Sequence, residues 1–181
     1  MAAPITRRGA LAAAALGISA CGGGGNAPPP RGPRPGSGAG LLNSVLALEH
    51  AGIAAYAAAA RVSGPATRAH LREIAAQEAD HVARLSELIE GLGGHPVQGR
   101  PAAEYARTFP RLRDERDALL LARDLEERLV RAHLDALAKL PAGDLRRAAA
   151  AMAAGEAEHL AWVRDLAGAP LTPDAFVTGT S

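Results

Sequence analysis

Cysteine is almost absent from this sequence: Cys21 is the single one in 181 residues, which excludes an intrachain disulfide. Aromatic residues make up 3% of the chain, and the 48% that is apolar is mainly alanine and leucine. That leaves little of the β-branched and aromatic material strands are built from, and favours helix. No sign of charge is in excess. Twenty Lys and Arg stand against 19 Asp and Glu, a formal net charge of +1, which excludes the basic footprint of a nucleic-acid binder. The apolar run at the N-terminus, residues 10–18, falls well short of the ~20 residues a bilayer span requires.

What that N-terminus does have is the order of an export signal over residues 1–21. Arg7 and Arg8 precede the short apolar run, and "ISAC" puts small residues directly before Cys21. "TRRGAL" resembles a twin-arginine signal, with Ala10 where a phenylalanine is usual; the general secretory route is the alternative. "ISAC" resembles a lipobox, which makes Cys21 the lipidated first residue of the mature chain. The alternative is an ordinary cleaved signal with the cysteine there by chance. Residues 22–40, "GGGGNAPPPRGPRPGSGAG", have the composition of a tether and cannot bury a core. Together these features predict an exported domain of residues 41–177, held by an N-terminal lipid anchor on the extracytoplasmic side of a membrane.

Four helical patterns follow, over residues 41–62, 66–92, 112–140 and 144–166. Prolines fall outside all four and glycines gather at their ends, with Gly52 and Gly155 as interior exceptions. The links inside each pair are short, so the paired helices run antiparallel. The link between the second and third helices, residues 93–111, is long enough to cross the length of a bundle. One long crossover among four helices is ferritin-like connectivity, and the predicted class is an all-α four-helix bundle.

Each helix has an inward stripe spaced alternately by three and four residues. The first presents Leu42, Val45, Glu49, Gly52 and Tyr56; the second Leu71, Ile74, Glu78, His81, Leu85, Leu88 and Leu92. The third presents Leu119, Ala122, Glu126, Leu129, His133 and Ala136. The fourth presents Leu145, Ala149, Met152, Glu156, His159, Val163 and Leu166. Polar residues sit at the middle of every stripe, and they repeat. Glu49 to Glu126 and Tyr56 to His133 are both steps of 77; Glu78 to Glu156 and His81 to His159 are both steps of 78. Two helix–loop–helix halves with chemistry at matching places point to an internal duplication.

Residues three apart on a helix share a face, so each Glu-x-x-His aims two ligands at one point. Two interior glutamates, Glu49 and Glu126, plus the pairs Glu78/His81 and Glu156/His159, form the donor set of a two-metal carboxylate site, for two iron or manganese ions. Charge argues the same way. Four buried carboxylates cost roughly several kcal/mol apiece when unpaired, and two divalent cations would neutralise them. Protonated carboxylates bonded to one another, without metal, are the alternative. Glu127, adjacent to Glu126, lies about 100° further round the helix, with Arg123 and Arg131 four residues either side, as on a solvated face. His50 also points away from the stripe; His70 and His95 are expected at the surface, and Trp162 at the end of the bundle. The alanine-rich faces at residues 57–60 and 148–151 suit either packing within the bundle or a homodimer.

The segments "LLNSVLALEHAGIAAYAAA", "QEADHVARLSELIEGLGG", "LARDLEERLVRAHLDAL", "GEAEHLAWVRDLAG" and "PLTPDAF" resemble the bacterial ferritin-like-domain family, over nearly all of residues 41–177. The resemblance implies the ferritin-like fold, export in many members, and a dinuclear metal centre on Glu49, Glu78, His81, Glu126, Glu156 and His159. The expected chemistry is redox work on a small oxidant or metal ion (dioxygen, peroxide or ferrous iron), with a metal-binding or storage module, or a structural bundle without turnover, as the alternatives. Tyr56 keeps its usual place beside the centre, but the tyrosine usual after the third-helix glutamate is replaced by His133. That histidine is either a partner that bonds a ligating carboxylate or an extra ligand.

Overall fold

The computed structural model describes residues 37–172, and among them there are five helices and no strand: α1 (Gly38–Val62), α2 (Pro65–Gly91), α3 (Ala102–Ala106), α4 (Glu115–Lys139) and α5 (Asp144–Leu166). The class is all-α, and the four long helices are the four read from sequence. The expected export signal, Cys21 and residues 173–177 of the expected domain lie outside the described residues.

Local chemistry sets the helix ends. Ser37 caps α1 by accepting from the Gly40 N–H at 3.1 Å. Residues 38–40, expected in the tether, are therefore the first turn of α1. Pro65 opens α2, where its missing N–H costs nothing. The pattern read as starting at Leu112 starts at Glu115, because Asp114 takes the cap and accepts from the Asp117 N–H at 3.0 Å. Glu115 then reaches across the bundle. Its carboxylate accepts from the Gly64 N–H at 2.6 Å and the Thr67 hydroxyl at 2.9 Å, tying the start of α4 to the α1–α2 turn.

Two apolar clusters divide the core. One joins the C-terminal half of α1 to the starts of α2 and α4 and the end of α5, with Ala59, Leu71, Ala118 and Val163 among its members. The other joins the start of α1 to the ends of α2 and α4 and the start of α5, with Leu42, Ile89, Leu140 and Ala149. These memberships fix the directions: α1 runs antiparallel to α2 and α4 and parallel to α5. α1 packs against both α2 and α4, α5 packs on α4, and α2 and α5 are the most sparsely packed of the contacting helices. α1 is long and apolar enough, by length and composition, to cross a membrane. Its apolarity is accounted for by its place in the bundle, where Leu42, Val45, Leu46, Ala55, Tyr56 and Ala59 are all buried.

The crossover runs along α1. Asn43 holds it with both ends of its amide, donating to the His95 carbonyl at 3.0 Å and accepting from the Val97 N–H at 2.7 Å. His50 lies under the same strap, with Nε2 3.1 Å from the Val97 carbonyl. Gly94 permits the close approach, because a Cβ there would stand 2.8 Å from that of Ala39. The short helix α3, not expected from sequence, packs on α1 with Tyr105 buried.

Three surface expectations are corrected. Trp162 is 40% exposed and meets His70 edge-on with ring centroids 6.0 Å apart, so it decorates a helix face and does not plug the bundle end. Leu92 is 47% exposed, and Ile89 fills the core place assigned to it. Glu127 is not on a solvated face: it is half-buried, 3.5 Å from the buried Arg164 and 3.7 Å from Arg123. Among the alanines, Ala59, Ala60 and Ala149 are buried within the bundle, whereas Ala57, Ala150 and Ala151 are exposed.

Candidate metal centre

Between the two apolar clusters lies a polar layer made by the middles of the four long helices. Glu49 comes from α1, Glu78 and His81 from α2, Glu126 and His133 from α4, Glu156 and His159 from α5. The four glutamates are fully buried, and among the described residues no lysine or arginine enters the layer. The helical phase that placed these residues inward from sequence is the phase observed.

The donors fall into two overlapping groups. Glu49, Glu78, His81 and Glu156 each turn one ligand atom to a common point, and so do Glu78, Glu126, Glu156 and His159. Within each group those atoms lie within 4.8 Å of one another. Glu78 and Glu156 belong to both. Each histidine uses Nδ1 toward the interior: that of His81 is 2.7 Å from Glu156 Oε1 and 3.3 Å from Glu78 Oε2, while that of His159 is 3.3 Å from Glu78 Oε1 and 3.4 Å from Glu156 Oε2.

The fit to metal can be tested on the unsatisfied atoms. Among the described residues, nine buried side-chain nitrogen and oxygen atoms lack a hydrogen-bond partner. Eight of the nine belong to the six residues just named: one oxygen each of Glu49 and Glu126, both oxygens of Glu78 and Glu156, and Nδ1 of His81 and His159. Orphaned buried polar atoms are rare and costly. Here they converge on two points, and their chemistry, carboxylate and imidazole, is that of iron and manganese ligands.

The outward atoms of Glu49, Glu126 and His159 are satisfied, and the internal repeat organises them. Tyr56 donates its hydroxyl to Glu126 Oε1. His133, which stands in the other half where Tyr56 stands in the first, places Nε2 2.7 Å from Glu49 Oε1. Each residue thus holds the terminal glutamate of the opposite half, leaving one oxygen free to face inward. His133 belongs to neither four-residue group, although its Nε2 is also 3.5 Å from Glu156 Oε1. Of the two roles open to it from sequence, the geometry is that of a carboxylate partner. The Nε2 of His159 is held by Gln77 Oε1 at 2.7 Å. Gln77 was not singled out from sequence; stepping the 78-residue offset back one place from Glu78 would have paired it with Gly155.

Without metal, protons do the neutralising. Burial pushes Glu49 up to about 7, outweighing its bond with His133. Glu126 is held well above the usual carboxylate range by burial and by the charges of Glu78 and Glu156. Burial opposes ionisation of Glu78 and Glu156 as well, but the facing histidines outweigh it: Glu78 falls to about 2 and Glu156 well below its ordinary value. Burial likewise disfavours charged histidines, and the carboxylates outweigh it, raising His81 to about 12 and His133 and His159 to about 9. Tyr56 is pushed far up by burial and by Glu126, so its proton stays in place.

The likeness to known proteins agrees with this architecture. A crystal structure of a conserved hypothetical protein, rv2844, from Mycobacterium tuberculosis superposes with a TM-score of 0.64 at 20% sequence identity, covering 78% of this chain and 98% of that one. At that identity the likeness speaks to fold alone. No curated protein matches the chain. The family model described as the ferritin-like domain matches residues 37–169, which contain every donor of the buried layer. The chain belongs to the ferritin-like domain family.

Proposed function

We propose that this protein holds two iron or manganese ions in its buried carboxylate layer and uses them for redox chemistry on dioxygen, peroxide or ferrous iron. The observation that carries the reading is the pair of overlapping donor groups whose inward atoms make no hydrogen bond and face one another. Bound there, either metal would supply one-electron steps between adjacent oxidation states.

The chain's own residues would do the rest. Glu78 and Glu156, common to both groups, would hold the two positions together, with Glu49 and His81 completing one and Glu126 and His159 the other. Tyr56 and His133 fix the outer oxygens of Glu126 and Glu49 and so aim the inner ones. The apolar clusters on either side keep bulk water from the layer. Tyr56 has a second feature. It lies between Glu126 and a cavity of about 510 Å³ bordered by α1 and α2, whose rim includes Arg61, Arg68 and Arg72. A phenol so placed suits the relay of an electron between a surface donor and the centre.

The reading also puts the domain outside the cytoplasm, anchored to the membrane by a lipid on Cys21. Its supports are Arg7 and Arg8 ahead of the apolar run, "ISAC" at its end, and the Gly/Pro-rich tether that follows. The test of the chemistry is anaerobic loading with ferrous iron, then rapid mixing with dioxygen or peroxide while ferric absorbance is followed. Repeated turnover with added ferrous iron supports the reading. Iron that binds and stays ferrous would instead assign metal binding or storage without turnover.

A further inference from the structure

The internal repeat makes the two halves of the layer alike except at two outer positions: Tyr56 stands against His133, and a second difference falls beside the histidines. On α2, Gln77 precedes Glu78 and its side-chain oxygen holds Nε2 of His159 at 2.7 Å. The matching place on α5, 78 residues on, is Gly155, which precedes Glu156 and has no side chain to offer. Gly155 faces His81 directly: a Cβ built on it would stand 3.3 Å from both Cε1 and Nε2 of that ring. The consequence is visible in exposure. The His159 side chain is 3% exposed, that of His81 16%. His81 and Gly155 face each other across the seam of α2 and α5, the most sparsely packed of the contacting helices.

A ligating histidine is normally oriented by a partner on its other ring nitrogen, and losing that partner loosens the metal it holds. His159 has that partner and is covered; the ring of His81 instead packs against the backbone at Gly155, where no side chain is present to hold its outer nitrogen. Glycine inside a helix costs about 1 kcal/mol against alanine, and the close approach of the His81 ring accounts for it here, since a Cβ would crowd that ring.

We infer that the two metal positions are inequivalent, and that ions and small molecules reach the layer past the exposed edge of His81, at the Glu49/His81 position. The Glu126/His159 position, closed by Gln77 outside and by Tyr56 within the layer, is the sealed one. Gln77 is a positioning residue for His159, and Gly155 leaves His81 without the matching partner. A metal ion arriving or leaving passes His81 first, and a small oxidant meets that position before the other.

The inference rests on the metal-centre reading, and one experiment separates the two. The full chain is loaded with two equivalents of Mn²⁺, challenged with excess EDTA, and the release of Mn²⁺ is followed by its solution EPR signal. Release in two phases of equal amplitude is expected. Gly155→Gln, which restores the missing side chain and needs the His81 ring to yield by a few tenths of an ångström, slows the faster phase by about tenfold, the lower end of what a histidine's outer partner is worth. Gln77→Ala removes no core atom and keeps the helix. It speeds the slower phase by about the same factor, so the two phases converge, and it carries the test if Gly155→Gln does not fold. Two ions that leave in a single phase, or variants that shift the opposite phases, overturn the inference and leave the metal centre standing. A folded chain that retains no Mn²⁺ overturns both.

Discussion

Filling this layer with metal at pH 8 expels protons, and their number follows from the structure. Before metal binds, His81, His133 and His159 are charged at that pH, being raised to about 12, about 9 and about 9. Glu126 holds its proton, while Glu49 at about 7, Glu78 and Glu156 are ionised. Three cations therefore face three anions. Two divalent ions need four ionised carboxylates and two neutral imidazoles, so Glu126, His81 and His159 each give up a proton. Four carboxylates balance two divalent ions only if His133 is neutral as well. About four protons should leave per chain, and the apparent affinity should rise steeply with pH as protons cease to compete. Calorimetric titration with Mn²⁺ in two buffers of different ionisation enthalpy reads the number directly. Release of fewer than about one proton per chain would refute the reasoning, because the donors would then already be free of the protons the geometry assigns them.

Four further outcomes are expected. Without metal, thermal stability should fall as pH rises from 4.5 through about 7 and on to about 9, since Glu49, His133 and His159 hold protons more tightly folded than unfolded; below 4.5 it should fall again as Glu78, lowered to about 2, is protonated. A melting series over pH checks both limbs, and a metal-free protein most stable at pH 9 would contradict them. Glu126→Gln should lose metal, whereas Glu127→Gln should keep both ions and cost on the order of 1 kcal/mol from the Arg164 and Arg123 contacts in denaturant titration. Tyr56→Phe should retain both ions yet slow ferrous-iron oxidation in stopped flow, with loss of its bond to Glu126 costing about 1.5–3 kcal/mol of stability. Replacing Arg7 and Arg8 by lysine should leave precursor in the cytoplasm, and Cys21→Ser should release the protein from the membrane fraction; unchanged fractionation of either would remove that part of the account.

The parts of the fold legible in the sequence are those written in periodicity. Glu49, Glu78, Glu126 and Glu156 stand on stripes long enough for the 3.6-residue repeat to fix their phase, and the 77- and 78-residue offsets gave an independent check. What stayed hidden depends on partners from elsewhere in the chain. Glu127 read as solvated because its helix neighbours are Arg123 and Arg131; the residue that buries it, Arg164, arrives from α5. Residues 38–40 read as tether by composition, and only the Ser37 cap shows that the helix has begun. Helix α3 is too short to have a period at all, and is held by Tyr105 and its packing on α1. Trp162 sits on a surface face beside His70 although its size suggested a packing role. Gln77 and Gly155 were within reach, since the offset that paired Glu78 with Glu156 pairs them too. Neither residue type suggests metal chemistry on its own, and their difference acquires meaning only when His159 is seen held by Gln77 and His81 is seen against a residue with no side chain.

The central claim is that the six donors exist to hold two metal ions, and elemental analysis of the protein purified without added metal tests it most directly. The account predicts about two equivalents of iron, manganese or both per chain. It also predicts that His81→Ala with His159→Ala loses most of that metal, along with the increment in melting temperature that metal confers on the parent chain. A well-folded parent chain that contains no iron or manganese, and takes up neither when they are supplied under anaerobic conditions, would contradict it.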